Sequence, residues 1–303
     1  MIWWLILTSF SAFAQDMAFL AAPGKTSIAA EYSNTDKGTS VTETRLQAGV
    51  PVYRSEKSIW NVNARGQAVA LGETLRINDR AYDVPKHFGG GEIGFGANFP
   101  RANGARGFNA SVGTTGRRLF ESENSRILNL TYFSEWKTKP DTSWYFFLSY
   151  SNNRTSFNNI PLPGFAYGLQ REGFRFMAGF PFVFVMWMPR PWLLNTSLSL
   201  FNANADVGYM IQGPWQAMAT LNWQPRSFQN LAPDVDGERL MFDKKEAALG
   251  VRAAFGPAHS VSLAYVYQFD RRIFIGKSIT EARSDRANIE DAGGIQFKMR
   301  TSF

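Results

Sequence analysis

The last nine residues, Ile295-Gln296-Phe297-Lys298-Met299-Arg300-Thr301-Ser302-Phe303, alternate without a break. Ile295, Phe297, Met299, Thr301 and Phe303 fall on one side of an extended chain, and Gln296, Lys298, Arg300 and Ser302 on the other. That is the period of a strand whose two faces meet different surroundings. The same period runs backward through the chain. Val261, Leu263, Tyr265, Tyr267 and Phe269 share a face, as do Ala247, Leu249, Val251, Ala253 and Phe255. Trp144, Phe146, Leu148 and Tyr150 form another such set, and so do Leu128, Leu130, Tyr132 and Trp136. Fourteen such segments are expected, with twelve or sixteen as alternatives: 27–33, 41–52, 58–70, 91–99, 107–115, 127–136, 143–151, 173–186, 192–201, 205–212, 215–223, 247–255, 261–269 and 295–303. Most have the nine to eleven residues, roughly, that a tilted strand needs to cross a hydrocarbon layer.

Composition narrows the chemistry. The 303 residues include no cysteine and two histidines, which removes disulfides, thiolate nucleophiles and a histidine-rich zinc site. Charged residues are 19% and aromatics 15%, too few charges and too many rings for a disordered chain. A mean hydropathy of −0.23 is too polar for a helical membrane protein. No metal or other cofactor is expected.

The connections sort by parity. Those after even-numbered segments are brief, such as 53–57, 137–142 and 213–214, whereas four of the others, 71–90, 152–172, 224–246 and 270–294, are about twenty residues long. An up-and-down barrel in a membrane has short turns at one end and long loops at the other. Trp60, Trp136, Trp144, Trp187, Trp192 and Trp215 all fall at the short-turn ends and Trp223 at the long-loop end, which reads as an aromatic girdle at one bilayer interface. The expected fold is all-β: a transmembrane antiparallel up-and-down β-barrel over residues 15–303. Residues 1–14, MIWWLILTSFSAFA, lack charge and end in Ala12-Phe13-Ala14, which predicts a signal peptide cleaved before Gln15.

With its leader, its dyad-repeat strands and its closing Gln296–Phe303 strand, the chain resembles the bacterial outer-membrane β-barrel superfamily, and more loosely its porin-like members. The resemblance implies a Gram-negative outer-membrane location, with lipid and lipopolysaccharide as surroundings. It also implies that Phe303 is the signal read by the barrel-assembly machinery. No substrate follows from it.

Assigning the apolar parity to lipid puts Glu31, Glu43, Arg45, Arg65, Glu92, Glu135, Arg175, Asp206, Arg252, Lys298 and Arg300 inside. Arg45, Arg65, Glu92, Arg175, Arg252, Lys298 and Arg300 are the candidate pore-lining residues, with a slight preference for anions. The alternative is a lumen closed by salt bridges that conducts nothing. One stretch, Phe180–Met188, is apolar on both parities, and Tyr145 and Phe147 join it on the inward parity of the preceding strand. Tyr145, Phe147, Val183, Val185 and Trp187 therefore form an apolar inward or interface patch. A loop such as 152–172 folded onto it, a slot for an apolar solute or lipid, or a subunit interface would each account for it.

The remaining motifs are weak. Glycines at 89–91, 94 and 96 lack the strand-to-helix context of a phosphate loop. Asp234-Val235-Asp236-Gly237 is a fragment of a calcium loop. His87 and His259 lie at opposite ends, and no serine partners His87 as an enzyme of this class would need. Arg226, Arg239, Arg271, Arg272, Arg283 and Arg286 enrich the long loops in cations, either as solvated surface or for contact with lipid phosphates. The formal charge of +7 is not arranged as a nucleic-acid recognition module. The sequence thus predicts a passive porin-like channel for small hydrophilic solutes and not an enzyme. The alternatives are an oligomeric, non-conducting, lipid-organising barrel and, less favoured, a lipid-modifying enzyme.

Overall fold

Alternation along the chain resolves, in the computed structural model, into one antiparallel sheet that closes on itself. The structure describes residues 25–303 except 37–38, 78–80, 118–124, 201, 230–237, 257 and 281–285. The expected signal segment, the Asp234–Gly237 turn and Arg283 lie outside the described residues.

Sixteen strands make the barrel. They are β1 (Ser27–Thr35), β2 (Val41–Arg54), β3 (Ile59–Leu71), β4 (His87–Arg101), β5 (Gly104–Gly116), β6 (Arg126–Lys139), β7 (Thr142–Ser151) and β8 (Leu162–Arg171), followed by β9 (Phe174–Phe180), β10 (Phe182–Trp187), β11 (Trp192–Ser199), β12 (Asn202–Gln212), β13 (Trp215–Trp223), β14 (Arg239–Phe255), β15 (His259–Gly276) and β16 (Ala292–Ser302). Each pairs with its neighbour in sequence. β16 closes onto β1 with Lys298 opposite Glu31 and Met299 opposite Ala30. Two short strands, Arg226–Phe228 and Arg286–Ile289, extend the sheet beside β14 and β15. A hairpin of Leu75–Ile77 and Tyr82–Val84 stands apart from it.

Sixteen strands replace the expected fourteen because two features were misread. The segment 173–186 is a hairpin and not one strand: Phe174 faces Trp187, Ala178 faces Val183, and the chain reverses at Pro181. Proline has no N–H to give to a ladder, so it marks a strand end here. The expected loop 152–172 contains β8, masked by the breaker residues Pro163, Gly164 and Gly168. Those glycines face rings: a Cβ on Gly164 would overlap Phe147, and one on Gly168 would crowd Tyr145. Adding two strands leaves the parity of every other strand unchanged. Connections after the even strands remain short, and those at 72–86, 117–125, 152–161, 224–238 and 277–291 emerge at the opposite end.

The outer face is apolar at alternate positions. Leu46, Ile93, Leu130, Phe146, Leu249, Leu263 and Ile295 are among the exposed hydrophobic side chains. Trp136, Trp144, Trp187, Trp192 and Trp215 are also exposed, all at the short-turn end. There Trp60 packs on Phe95, Phe99 and Phe108 with ring centroids 5.2, 5.7 and 6.0 Å away.

The wall is uneven in height. β14 and β15 run 17 and 18 residues, whereas β9, β10 and β11 have 7, 6 and 8. With a rise of about 3.3 Å per residue and a tilt of about 40°, β15 climbs roughly 45 Å and β10 roughly 15 Å. On the tall side, the upper inward positions build a dry cluster: Val41, Val69, Leu71, Phe88, Leu240, Phe242, Ile273 and Ile275 pack with Ile77, Val84 and Phe228. Phe88 meets Phe228 edge-on at 4.8 Å. This apolar cluster fills the tall sector of the long-loop end, which excludes water from that part of the mouth.

Candidate functional site: the barrel interior and its roof

Register fixes which side chains point inward. Glu43, Arg45 and Gln47 on β2 share a parity with Arg65 and Gln67 on β3 and with Glu92 on β4. Lys298 and Arg300 on β16 share it with Glu31 on β1, and Arg252 on β14 shares it with Gln216 on β13. Arg175 sits on β9 opposite Met186. All seven candidate lining residues face the interior, but the structure does not gather them into one ring. Arg252 reaches Asp206 at 3.7 Å. Arg65 donates to Glu92 at 2.7 Å, and that carboxylate also accepts from Ser111 and Asn129 at 2.9 and 2.7 Å. Arg300 makes no ion pair among the described residues.

Where the barrel closes, charges are paired and largely buried. Glu31 is shared by Arg45 at 3.7 Å and Lys298 at 3.4 Å. Glu43 holds Arg226 at 2.6 Å and Arg45 at 3.7 Å, and is also paired with Lys244. Lys244 bridges on to Glu246 at 2.5 Å, which accepts further bonds from Asn222 and Gln268 at 3.1 and 2.9 Å. Glu43 and Lys244 each keep 3% side-chain exposure. Such charges are tolerated in a dry site only when each has its partner.

Arg226, Lys244 and Glu246 were not foreseen as interior residues, since 224–246 reads as a loop. The signal existed: the alternation of β14 runs back from Ala248 through Glu246, Lys244, Phe242 and Leu240. The expectation of solvated or lipid-facing loop cations also fails for three of its members. Arg226, Arg239 and Arg271 are buried. Arg271 donates to the carbonyls of Glu290 and Thr39 at 2.7 and 3.0 Å. Arg272 instead binds Asp243 at 2.9 Å.

Loop 152–161 crosses the mouth and ties itself to the opposite wall. Arg239 donates to the carbonyls of Asn152 and Arg154 at 2.9 and 3.2 Å. Ser227 donates to Asn153 Oδ1 at 3.1 Å, and Ile279 N–H donates to the Thr155 carbonyl at 2.7 Å. The Arg154 guanidinium donates to the Ile160 carbonyl within the loop at 3.0 Å and to Ser149 Oγ on β7 at 2.8 Å. Below this roof lies a cavity of about 290 Å³. One wall carries Arg45, Gln47, Arg65, Gln67 and Glu92, with Gln224 and Arg226 above them. The facing side is Phe157, Leu162, Pro181, Ser199, Leu200 and Asn202. Four arginines and one glutamate line it, Arg154 being the fourth; of these, Arg45 is paired with Glu31 and Glu43, Arg226 with Glu43 and Arg65 with Glu92.

The apolar patch lies elsewhere than expected in part. Tyr145 and Phe147 do point inward, where Phe133, Phe147 and Ala166 form a core with Met177 and Phe182 packed against it. Phe147 and Phe182 have ring centroids 5.5 Å apart. Val183, Val185 and Trp187 point outward. The inward side chains of β10 are Phe182, Phe184 and Met186, the last two buried. Tyr145 donates to Glu135 at 3.1 Å, so its ring can be buried while its hydroxyl is satisfied. The other sequence candidates lie outside the cavity. His87 is exposed at the start of β4 and His259 at the start of β15, at opposite ends. Phe303 is exposed at the short-turn end, its N–H donating to the Thr26 carbonyl at 2.8 Å.

A closed antiparallel sheet with an apolar outer face, an aromatic belt and a polar interior is the architecture of bacterial outer-membrane β-barrels. No protein-family model matches the chain, and no curated protein matches it. Solved structures similar to it include an outer membrane channel from Pseudomonas putida F1 (8% identity, 98% of both chains, TM-score 0.38). Salmonella typhi OmpF is also similar (9% identity, 92% of this chain and 97% of that one, TM-score 0.38), as is LpxR from Salmonella typhimurium (9%, 91% and 100%, TM-score 0.33). At these scores the likeness adds nothing about what the interior does.

Proposed function

We propose that this chain is a bacterial outer-membrane barrel that acts as a narrow, passive, porin-like channel for small hydrophilic solutes, with a preference for anions. The observation that carries the reading is the interior cavity under loop 152–161, with its four arginines and one glutamate. Loop and apolar cluster together leave only part of the mouth to polar side chains, so any current is expected in small steps. Planar-bilayer recording of purified, refolded protein tests it. Discrete small steps with a reversal potential displaced toward anions are expected, and Arg65→Glu should move that potential toward cations. A bilayer that stays silent at high protein loading defeats the reading.

The second reading, a non-conducting structural barrel, is favoured by the buried network of Glu43, Arg226, Lys244 and Glu246, which fills part of the lumen with paired charge. A silent bilayer together with an intact heat-resistant barrel on gels would support it. An oligomeric form and contact with lipopolysaccharide belong to this second reading.

A further inference from the structure

Charges at the short-turn end are mostly of one sign. Lys57, Arg101, Arg106, Lys137, Lys139 and Arg190 are exposed in or beside four of its turns, and none of them makes an ion pair among the described residues. Against them stand exposed Glu56 and Glu172; Asp141 is already held by Arg171 at 3.4 Å. Exposed charges at the long-loop end meet their opposites instead: Arg76 lies 3.9 Å from Asp83, and Lys245 lies 2.6 Å from Asp270. The unpaired cations also keep to the aromatic girdle, each within three residues of Trp60, Phe99, Phe108, Trp136 or Trp192.

Three of them gather at the turn joining β4 to β5. The outward parity of β4 runs Ile93, Phe95, Ala97, Phe99, Arg101, and that of β5 runs Arg106, Phe108, Ala110, Val112. Arg106 stands directly across from Phe99 and Arg101 across from Gly104. The two arginines are therefore diagonal neighbours on one face, about 7 Å apart at their stems. Lys137 is brought beside them, because its N–H donates to the Asn103 carbonyl at 3.0 Å. A tilted strand advances about 2.5 Å per residue along the membrane normal, so both arginines stand about 5 Å beyond the outermost rings of their strands. The polar headgroup layer is about 5–7 Å deep. With the rings at its inner boundary, the guanidinium groups are level with the lipid phosphates. On the other side of the rings Ile93 and Val112 face each other across the ladder, 64% and 63% exposed.

We propose that Arg101 and Arg106, with Lys137 beside them, bind the headgroup phosphate of an anionic phospholipid in the leaflet at the short-turn end, its acyl chains lying along Ile93, Phe95 and Val112. Arginine meets phosphate through paired, charge-assisted hydrogen bonds. A zwitterionic lipid carries its own ammonium beside the phosphate and offsets that attraction, whereas an anionic lipid does not. An acidic soluble partner would satisfy the cations but leave the apolar strip uncovered. The proposal rests on the membrane reading of the barrel and not on conduction.

The test is native mass spectrometry of the folded full chain in neutral detergent, titrated with phosphatidylglycerol, phosphatidylcholine or glycerol 3-phosphate. Saturable binding of phosphatidylglycerol is expected, with the zwitterionic lipid and the chainless phosphate each at least about tenfold weaker. Arg101→Gln/Arg106→Gln should lose about tenfold for phosphatidylglycerol and little for phosphatidylcholine. Both arginines are exposed and unpaired, so the barrel should still fold, which heat-modifiable migration on gels checks. Lys57→Gln/Arg190→Gln removes as much charge elsewhere on the rim and should bind like the parent. Equal binding of the two lipids overturns the proposal, as does equal binding of glycerol 3-phosphate, which would leave a plain anion site. An equal loss in the two double variants also overturns it, because attraction would then be diffuse. Insertion into phosphatidylcholine vesicles tests the membrane reading by itself. A chain that inserts yet shows no preference for phosphatidylglycerol defeats this proposal alone, and one that does not insert defeats both.

Discussion

Glu43 is the residue on which the closed side of the lumen turns. It projects from β2 into a place with almost no water and is met by Arg226, Lys244 and Arg45. Removing one member of such a group leaves the others charged without a counter-charge, which typically costs about 3–5 kcal/mol. Glu43→Gln is therefore expected to lower barrel stability by that order, seen as a lower midpoint in urea unfolding from vesicles. Asp141→Asn, which loosens only the exposed pair with Arg171, should change it by less than about 1 kcal/mol. Equal effects of the two substitutions would mean that water reaches Glu43 freely and that the network is not dry.

Loop 152–161 shows how an element is shaped by residues far along the chain. Two of its carbonyls are held by Arg239, 87 and 85 positions away. Arg239→Ala removes both bonds without touching the sheet. If the barrel conducts, its steps should become severalfold larger and noisier in bilayer recordings, because the roof is freed from the far wall. Unchanged steps would show that current does not pass beneath it. No local pattern announces such long-range ties, which is why 226, 239 and 271 read as loop cations in the sequence. Strand existence and inward parity were legible, because period two records which solvent each side chain meets. The two strands at β8 and the β9–β10 hairpin were hidden for a physical reason. Apart from Arg175 and Gln170 near the short-turn end, both faces there are apolar or small: on β10 Phe182, Phe184 and Met186 inside oppose Val183, Val185 and Trp187 outside, so alternation carries little contrast and only Pro181 marks the reversal. The inward location of the candidate arginines could be read, but their grouping could not, since pairing with Glu92 or Asp206 depends on neighbours set by strand order.

For the whole molecule, the proposed function requires one sheet, whose edge height varies around the circumference, to separate two media. The claim can be tested by putting the same charge at two depths on one face of a strand. Leu249 is 68% exposed near the middle of the apolar run of β14, while inward-facing Ala248 is 5% exposed. A lipid-facing arginine at mid-bilayer costs about 2–4 kcal/mol in barrels of this kind. Leu249→Arg should therefore destabilise folding into vesicles by that amount and recover in short-chain detergent, where the head can reach water around a thinner apolar layer. Phe255→Arg, on the same face but beside the short turn, should cost no more than about 1 kcal/mol, because interfacial depth carries little penalty. A penalty that follows depth in this way would be the signature of a bilayer-spanning wall. Equal tolerance at Leu249 and Phe255 in both media would mean that this face meets water or protein, and neither the girdle nor the low edge at Pro181 would then lie against lipid.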